Sequence, residues 1–272
     1  MTAAQLKKFQ TTVLSYYETH GRHDLPWRIP DKDGFKAYKI LISETMLQQT
    51  QVARVVPKYG QFLQLFPNVE ALAEASQGAV LTAWSGLGYN RRARYLHRAA
   101  QAIANDYNGK LPNNVTDLTK LPGIGVNTAG AVVVYAFNQP VIFIETNIRS
   151  VYIEHFFKDS KVPISDKAIL ELVELTIDKN NPREWYWGLM DYGSHLKQTI
   201  GNGAVRSAHY KRQSVFSGSK RQIRGQVIKQ LAIAPHSKGQ LERLIPDERL
   251  EAVLADLINE KLIHKSPNGY TL

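Results

Sequence analysis

Apolar positions recur at helical spacing from the start of the chain, and no run alternates as a half-buried strand would before its last few residues. Residues 5–20 predict an amphipathic first helix. Phe35–Thr50 (FKAYKILISETMLQQT) is apolar at 38, 40, 41, 42, 46 and 47, a helical period interrupted by Glu44. Helices are further predicted over 52–65, from 67 to about 75, over 76–84 and over 93–107. Ala131–Phe137 is apolar on every side, as in a buried helix, and is opened by Asn127-Thr128-Ala129-Gly130. Val141–Ile144 is a short apolar segment ending at Glu145, after which helices are predicted over 151–157, 165–179 and 182–199. Trp185, Tyr186, Trp187 and Met190 supply the core of the last. Three more, over 223–233, 238–244 and 247–262, lead into Leu262–Leu272, which reads as a hairpin around Asn268-Gly269. Three helices and a terminal hairpin predict a winged-helix-like module.

Two turns stand out from this pattern. Leu121-Pro122-Gly123-Ile124-Gly125 places two glycines one residue apart, just ahead of the buried helix. Glycine there permits positive φ and lets the backbone approach something bulky. Amides exposed at a helix start form a ready anion site, so such a turn can grip one DNA phosphate without reading a base. A plain tight turn carries the same glycines. Ser85-Gly86-Leu87-Gly88-Tyr89-Asn90-Arg91-Arg92-Ala93-Arg94 joins a second glycine turn to an aromatic and three arginines. That suits a wedge entering a duplex while arginines hold its backbone. It equally suits a helix start with a solvated basic face.

Two acids and a polar cluster complete the candidates. Glu44 lies near the apolar side of its helix, where an ionised carboxylate is costly unless paired or raised in pKa; a glutamate on the helix shoulder fits the same pattern. Glu145 ends an apolar segment where a helix begins, so it is either an N-cap or a carboxylate held for chemistry. Gln48-Gln49-Thr50-Gln51 can reach base edges or form an ordinary surface turn.

Composition narrows the classes. A formal net charge of +10 points to nucleic acid or another acidic partner. Between Tyr192 and Leu241 there is no acid against nine Lys or Arg, and Gly201–Lys220 reads as a DNA-facing loop or a linker. The absence of cysteine removes disulfides, thiol catalysis and any thiolate-held zinc or iron–sulfur site. No apolar run is long enough for a bilayer, and the N-terminal pattern is not that of a signal peptide. A cytoplasmic, nucleoid-associated protein is expected, a monomer with no membrane partner.

Ile42–Val52 (ISETMLQQTQV), Trp84–Ala100, Leu121–Val132 (LPGIGVNTAGAV) and Glu145–Val151 (ETNIRSV), with His23–Arg28 (HDLPWR), resemble the helix-hairpin-helix DNA glycosylases. Within them the blocks are most similar to the MutY adenine glycosylase branch, from about residue 5 to 200. The resemblance implies two α-helical lobes with DNA and a flipped base at the cleft between them. It implies that Glu44 protonates the base, that Gly123 and Gly125 grip phosphate with Leu121, Asn127 and Thr128 around them, and that Tyr89 is the wedge beside Arg91 and Arg92. Gln48 and Gln49 would enter the duplex by the opposite base. Glu145 stands where the family has an aspartate, with Asn147 as its support.

This sequence departs from the family at Glu145, at Asn127 where lyase relatives carry a Schiff-base lysine, and in having no cysteine for a cluster. A winged-helix-like module replaces a Nudix-like domain. The expectation is an all-α, two-lobed glycosylase without metal or other cofactor, acting on double-stranded DNA that holds a mismatched or damaged base. Residues 1–28 with 140–200 would form one lobe and 29–139 the hairpin lobe, followed by a basic linker, 201–222, and the module, 223–272. A non-catalytic lesion-binding protein, or one of altered specificity, is the alternative; a winged-helix transcription regulator is a third.

Overall fold

The structure is a computed structural model that describes residues 2–212 and 215–272. Met1, in the first predicted lobe, and Gln213 and Ser214, in the predicted linker, lie outside the described residues. Among the described residues there are fourteen α-helices and one two-stranded hairpin, so the all-α reading holds. The helices are α1 (Ala3–His20), α2 (Ala37–Leu47), α3 (Val52–Leu65), α4 (Val69–Glu74), α5 (Gln77–Trp84), α6 (Arg91–Asp106) and α7 (Val115–Leu118). They continue as α8 (Val126–Phe137), α9 (Thr146–Phe156), α10 (Asp166–Thr176), α11 (Pro182–Thr199), α12 (Lys220–Leu231), α13 (Lys238–Leu244) and α14 (Leu250–Asn259).

The chain forms two compact units, and they divide it at other points than the predicted lobes. The first holds Met1–Ile40, Asn113–Thr116 and Gly125–Arg212; the second holds Leu41–Pro112, Asp117–Ile124 and Gln213–Leu272.

In the first unit α1 packs on α11, and α11 on α9. Phe9 sits edge-on to Phe156 at 4.8 Å and to Trp185 at 5.8 Å, and Phe143 stacks on Tyr186 at 4.2 Å. Gly193 sets how closely α9 and α11 approach, because a Cβ there would overlap the Asn147 backbone. A buried ionic knot closes this core. Asp191 of α11 accepts from Arg28 Nη1 at 2.7 Å and Nη2 at 2.9 Å, and from the Arg22 amide and guanidinium. Burial alone would raise the Asp191 carboxyl, but the two arginines bring it below the ordinary carboxylate range.

In the second unit α4 and α5 pack on α6, and α3 on α5. The C-terminal residues belong to this same unit. β1 (His264–Ser266) pairs with β2 (Gly269–Thr271), and His236 bridges antiparallel to Tyr270, adding a third short strand position beside α12, α13 and α14. Gly269 holds φ +131°, and a Cβ there would overlap the His236 carbonyl. Three helices and a short hairpin are thus the elements present over 220–271, as expected from the sequence.

Element ends differ from expectation in three places. The helix over 35–50 stops at Leu47, since Gln49 takes φ +54° and turns the chain out. The helix expected at 151 begins at Thr146, directly after Glu145. The predicted linker is partly built. Gly203–Arg206 forms a 3-10 turn, Ile164 N donates to Arg206 O at 2.9 Å and Ala208 N to Ile164 O at 2.9 Å.

Candidate active site

In the second unit, α2 carries Glu44 between buried Ile42 and Met46, with Glu44 itself half-buried. Two turns follow from this helix and from α5: Gln48–Gln51 and Ser85–Asn90. Arg92 ties them together. Its Nη1 donates to the carbonyls of Thr45 (2.8 Å), Met46 (2.9 Å) and Gln48 (2.7 Å). Its Nη2 donates to Thr50 Oγ1 (3.0 Å) and Gly88 O (3.1 Å). The guanidinium also lies over Trp84 at 5.2 Å and Tyr89 at 5.5 Å. The carbonyls at the end of α2 have no partner within the helix, and a cation there complements the helix dipole. Burial lowers the Arg92 pKa to about 10, with Tyr89 acting in the opposite sense, so the group is cationic at neutral pH. Arg92 thus faces inward, and its guanidinium is committed to protein rather than open to a phosphate. Arg91 is exposed but pairs with Glu260 at 2.5 Å.

Tyr89 stands at the tip of the second turn with φ +48°, between Gly88 at +73° and α6. A tyrosine in the left-handed region costs about 1–2 kcal/mol, a strain the Arg92 bonds on the flanking carbonyls sustain. It is 37% exposed.

The glycine turn before α8 is anchored by Leu121 and Ile124, both buried. Leu121, expected at the nucleic-acid surface, instead faces the core. Gly123 takes φ +77° and lies so close to Tyr95 that a Cβ would overlap the Cβ of that side chain. Gly125 differs: it is the N-cap of α8 in extended backbone, φ −85°, and no side chain caps it. Gly125, Val126 and Asn127 are exposed and Thr128 half-exposed, so the first turn of α8 presents its backbone outward.

Glu145 and Asn147 belong to the first unit. Glu145 is the N-cap residue of α9, yet its carboxylate accepts no hydrogen bond from the first-turn amides. The capping role is therefore not what holds it. Burial raises its carboxyl pKa above the ordinary range, against the pull of Arg149. Arg149 is itself engaged, donating from Nε and Nη2 to the two Asp166 oxygens at 2.7 and 2.8 Å. Asn147 Nδ2 donates to Met190 O at 3.4 Å, which secures the start of α9 on α11. A half-buried acid at a helix start, with its carboxylate uncommitted to that helix, is equipped to hold a developing positive charge or take a proton from water.

Residues 42–176 match the family described as HhH-GPD superfamily base excision DNA repair protein. The adenine DNA glycosylase of Mycolicibacterium smegmatis is 32% identical over an alignment covering 94% of this chain and 93% of that protein. This chain belongs to the HhH-GPD superfamily. Within it, relatives named adenine DNA glycosylase recur. The one from Buchnera aphidicola subsp. Baizongia pistaciae is 39% identical over 64% of this chain, and the alignment spans 47% of that longer relative. The solved structure of a thermostable thymine-DNA glycosylase superposes with a TM-score of 0.61 at 27% identity, covering 70% of this chain and 87% of that one.

The four-thiolate cluster site of HhH-GPD relatives does not fit this chain, which has no cysteine. The segment after α11 is held otherwise. Ala204 N donates to Ser150 Oγ at 3.1 Å, and Arg206 reaches the carbonyls of Phe157, Lys158 (2.8 Å) and Ser160 (3.2 Å) beyond the end of α9. Among the described residues no group of His, Asp and Glu has a metal-binding arrangement.

Of the expected site residues, one unit gathers Glu44, Gln48, Gln49, Tyr89, Arg91, Arg92, Leu121 and Gly123. The other holds Gly125, Asn127, Thr128, Glu145 and Asn147. Sequence reasoning missed Arg92's inward role and the Ser150–Arg206 fastening. Neither had a local signal, because adjacent basic residues can share an exposed helix face, as Lys7 and Lys8 of α1 do.

Proposed function

We propose that this chain is a monofunctional DNA glycosylase that flips an adenine, paired with a damaged or mismatched purine, and hydrolyses its N-glycosidic bond. Extrusion of the base costs a few kcal/mol and is eased at a mismatch. Glu44 protonates a ring nitrogen, so that the electron pair of the breaking C1′–N bond leaves on a neutral base. Glu145 stabilises the resulting oxocarbenium sugar and takes the proton of the water that attacks C1′. The glycine turn at Gly123 and the open start of α8 bind phosphate, Tyr89 wedges the duplex, and Gln48 and Gln49 meet the opposite base. With Asn127 where lyase relatives carry lysine, no Schiff base forms.

The observation that carries this reading is the Glu145 carboxylate, half-buried at a helix start and not spent on capping it. Single-turnover cleavage of a duplex panel tests it: adenine opposite 8-oxoguanine, adenine opposite guanine, thymine or uracil opposite guanine, with alkali to reveal abasic sites. Cleavage of the adenine duplexes, abolished by Glu44→Gln with binding intact, is the expected result. Cleavage only of another base would move the specificity. Tight binding without any abasic product would establish a lesion-binding protein instead, a reading favoured by the glutamate in place of aspartate, since displacement near 1 Å costs about 10²-fold.

A further inference from the structure

The C-terminal module sits on the second unit's own helices in a way that decides which of its faces is left for a ligand. Glu260, at the end of α14, pairs with Arg91 of α6 at 2.5 Å and with Arg224 of α12. Arg94 Nη1 donates to Glu260 O at 2.8 Å, and Gln77 Nε2 to Lys261 O at 2.7 Å. Leu272 packs by Gly78, and α12 lies along α5. These contacts are intramolecular and polar on several sides, so the module is a built part of the unit.

A helix-turn-helix reads DNA with its second helix, which here is α14. That helix and its flanks, residues 247–260, carry Asp247, Glu248, Glu251, Asp256 and Glu260 against Arg249 alone, and Arg249 is paired with Asp247 at 2.7 Å. Glu251, Asp256 and Glu260 are paired in turn with Lys238, Lys220 and the Arg91–Arg224 couple, so the helix carries no surplus of positive charge for a phosphate. The basic end of the module is elsewhere, at the start of α12. There Arg221 Nη1 donates to the Tyr89 hydroxyl at 2.6 Å, with its guanidinium 5.7 Å from the Tyr89 ring and 5.9 Å from the Phe216 ring. Phe216 is 59% exposed. On α12 itself Lys220 pairs with Asp256 at 3.8 Å and Arg224 with Glu260, so Arg221 is the cation of this end that faces Tyr89 and Phe216.

We infer that the module does not bind DNA through its helix-turn-helix but extends the wedge: Arg221 positions Tyr89 and contacts a phosphate, while Phe216 stacks on a base beside the one Tyr89 displaces. The wedge is thus composite, one aromatic from each end of the chain's second unit, bridged by a cation. This rests on the reading of Tyr89 as wedge. Cation and exposed aromatic together are the combination that binds unstacked bases.

The test is a mutant cycle in the full chain with Tyr89→Phe, Arg221→Met and the double variant. Each is titrated against an adenine-mismatch duplex at several salt concentrations and assayed for cleavage. Arg221→Met is expected to weaken binding about tenfold and to lower the salt slope by about one, the release of one phosphate contact. Tyr89→Phe should weaken it about threefold, and the double variant no more than Arg221→Met alone. Arg221→Lys should restore the salt slope but not the coupling to Tyr89. Phe216→Ala, at an exposed position, should weaken binding about fivefold with the slope unchanged. Unchanged affinity and slope in Arg221→Met, or multiplicative effects in the double variant, would overturn the inference. Tyr89→Ala separates the two readings. If it leaves cleavage and the fluorescence of a 2-aminopurine beside the mismatch unchanged, Tyr89 is no wedge. If it abolishes them while Arg221 and Phe216 variants are silent, only the composite wedge fails.

Discussion

Each compact unit draws an arginine inward, Arg28 buried and Arg92 half-buried, and the two are satisfied in opposite ways. Arg28 in the first meets a carboxylate, Asp191, that Arg22 also holds. Arg92 in the second meets only backbone carbonyls, a threonine hydroxyl and aromatic faces. A charge paired with a charge fastens helices within a core and is neutralised in doing so. A charge spread over carbonyls fastens turns, and its positive field persists where an anionic ligand is expected. The first arrangement serves stability, the second the shape and potential of a site.

Substitution should separate these roles. Arg28→Met leaves a buried carboxylate short of a partner, and about 3–5 kcal/mol of unfolding free energy should be lost. The fraction that remains folded should cleave at the native rate. Arg92→Met should cost less stability but release both turns, with single-turnover cleavage falling about 10²-fold or more. Equal catalytic losses in the two variants, once corrected for folded fraction by circular dichroism, would erase the distinction.

Acid should find the first unit. A carboxyl lowered in the folded state contributes stability in full above its unfolded pKa and loses it as pH falls through its folded one. Asp191 is such a group. Asp191→Asn should therefore be less stable than the parent at neutral pH, with a gap in melting temperature that closes as pH falls below the ordinary carboxylate range. A gap independent of pH would remove Asp191 from the account of stability.

Glu145 has the opposite sign. Its carboxyl pKa is raised, so folding is penalised as pH climbs from the ordinary carboxylate pKa through the raised one, beyond which the group is the carboxylate that the proposed chemistry uses. Glu145→Gln should melt higher than the parent at neutral pH, the advantage growing across that window and then levelling, while cleavage is lost. A less stable Glu145→Gln protein would mean the carboxylate is structural. The smallest effect concerns the exposed start of α8, where Val126 is 62% exposed. Val126→Asp should leave melting unchanged or slightly raised, since an acid suits a helix N-terminus. Duplex binding by fluorescence anisotropy should weaken about tenfold.

How far these roles were readable in advance depended on the range of the interaction behind them. Helices, the hairpin around Gly269 and the glycine at 123 follow from periodicity and local conformational limits, which a short window contains. Glu44, Tyr89 and Glu145 emerged from ordered blocks that resemble a family, because their chemistry is written as local motifs. Arg28 and Asp191 are 163 residues apart, and nothing near either announces the other. Arg92 was misread as a phosphate contact because a basic pair at a helix start looks the same whether a guanidinium points out or in. The helix start marked by the acid at Glu145 is where α9 stands, whereas apolar periodicity alone delayed it to 151, since Thr146, Asn147 and Arg149 are polar. Arg221 and Phe216 lay in a stretch whose low apolar content suggests a linker; their meaning comes from a turn more than a hundred residues earlier.

The fastening of residues 203–208 by Ser150, Ile164 and Arg206 has a consequence for how this protein matures. A fold closed there by thiolates around iron waits on cofactor delivery and is exposed to peroxide and to metal starvation. Hydrogen bonds to the end of one helix need only the chain itself, so this segment is complete when synthesis and folding are. Without cysteine, this segment offers oxidants no thiolate to attack, and that corner of the architecture keeps its bonds under conditions that would strip thiolates from a metal.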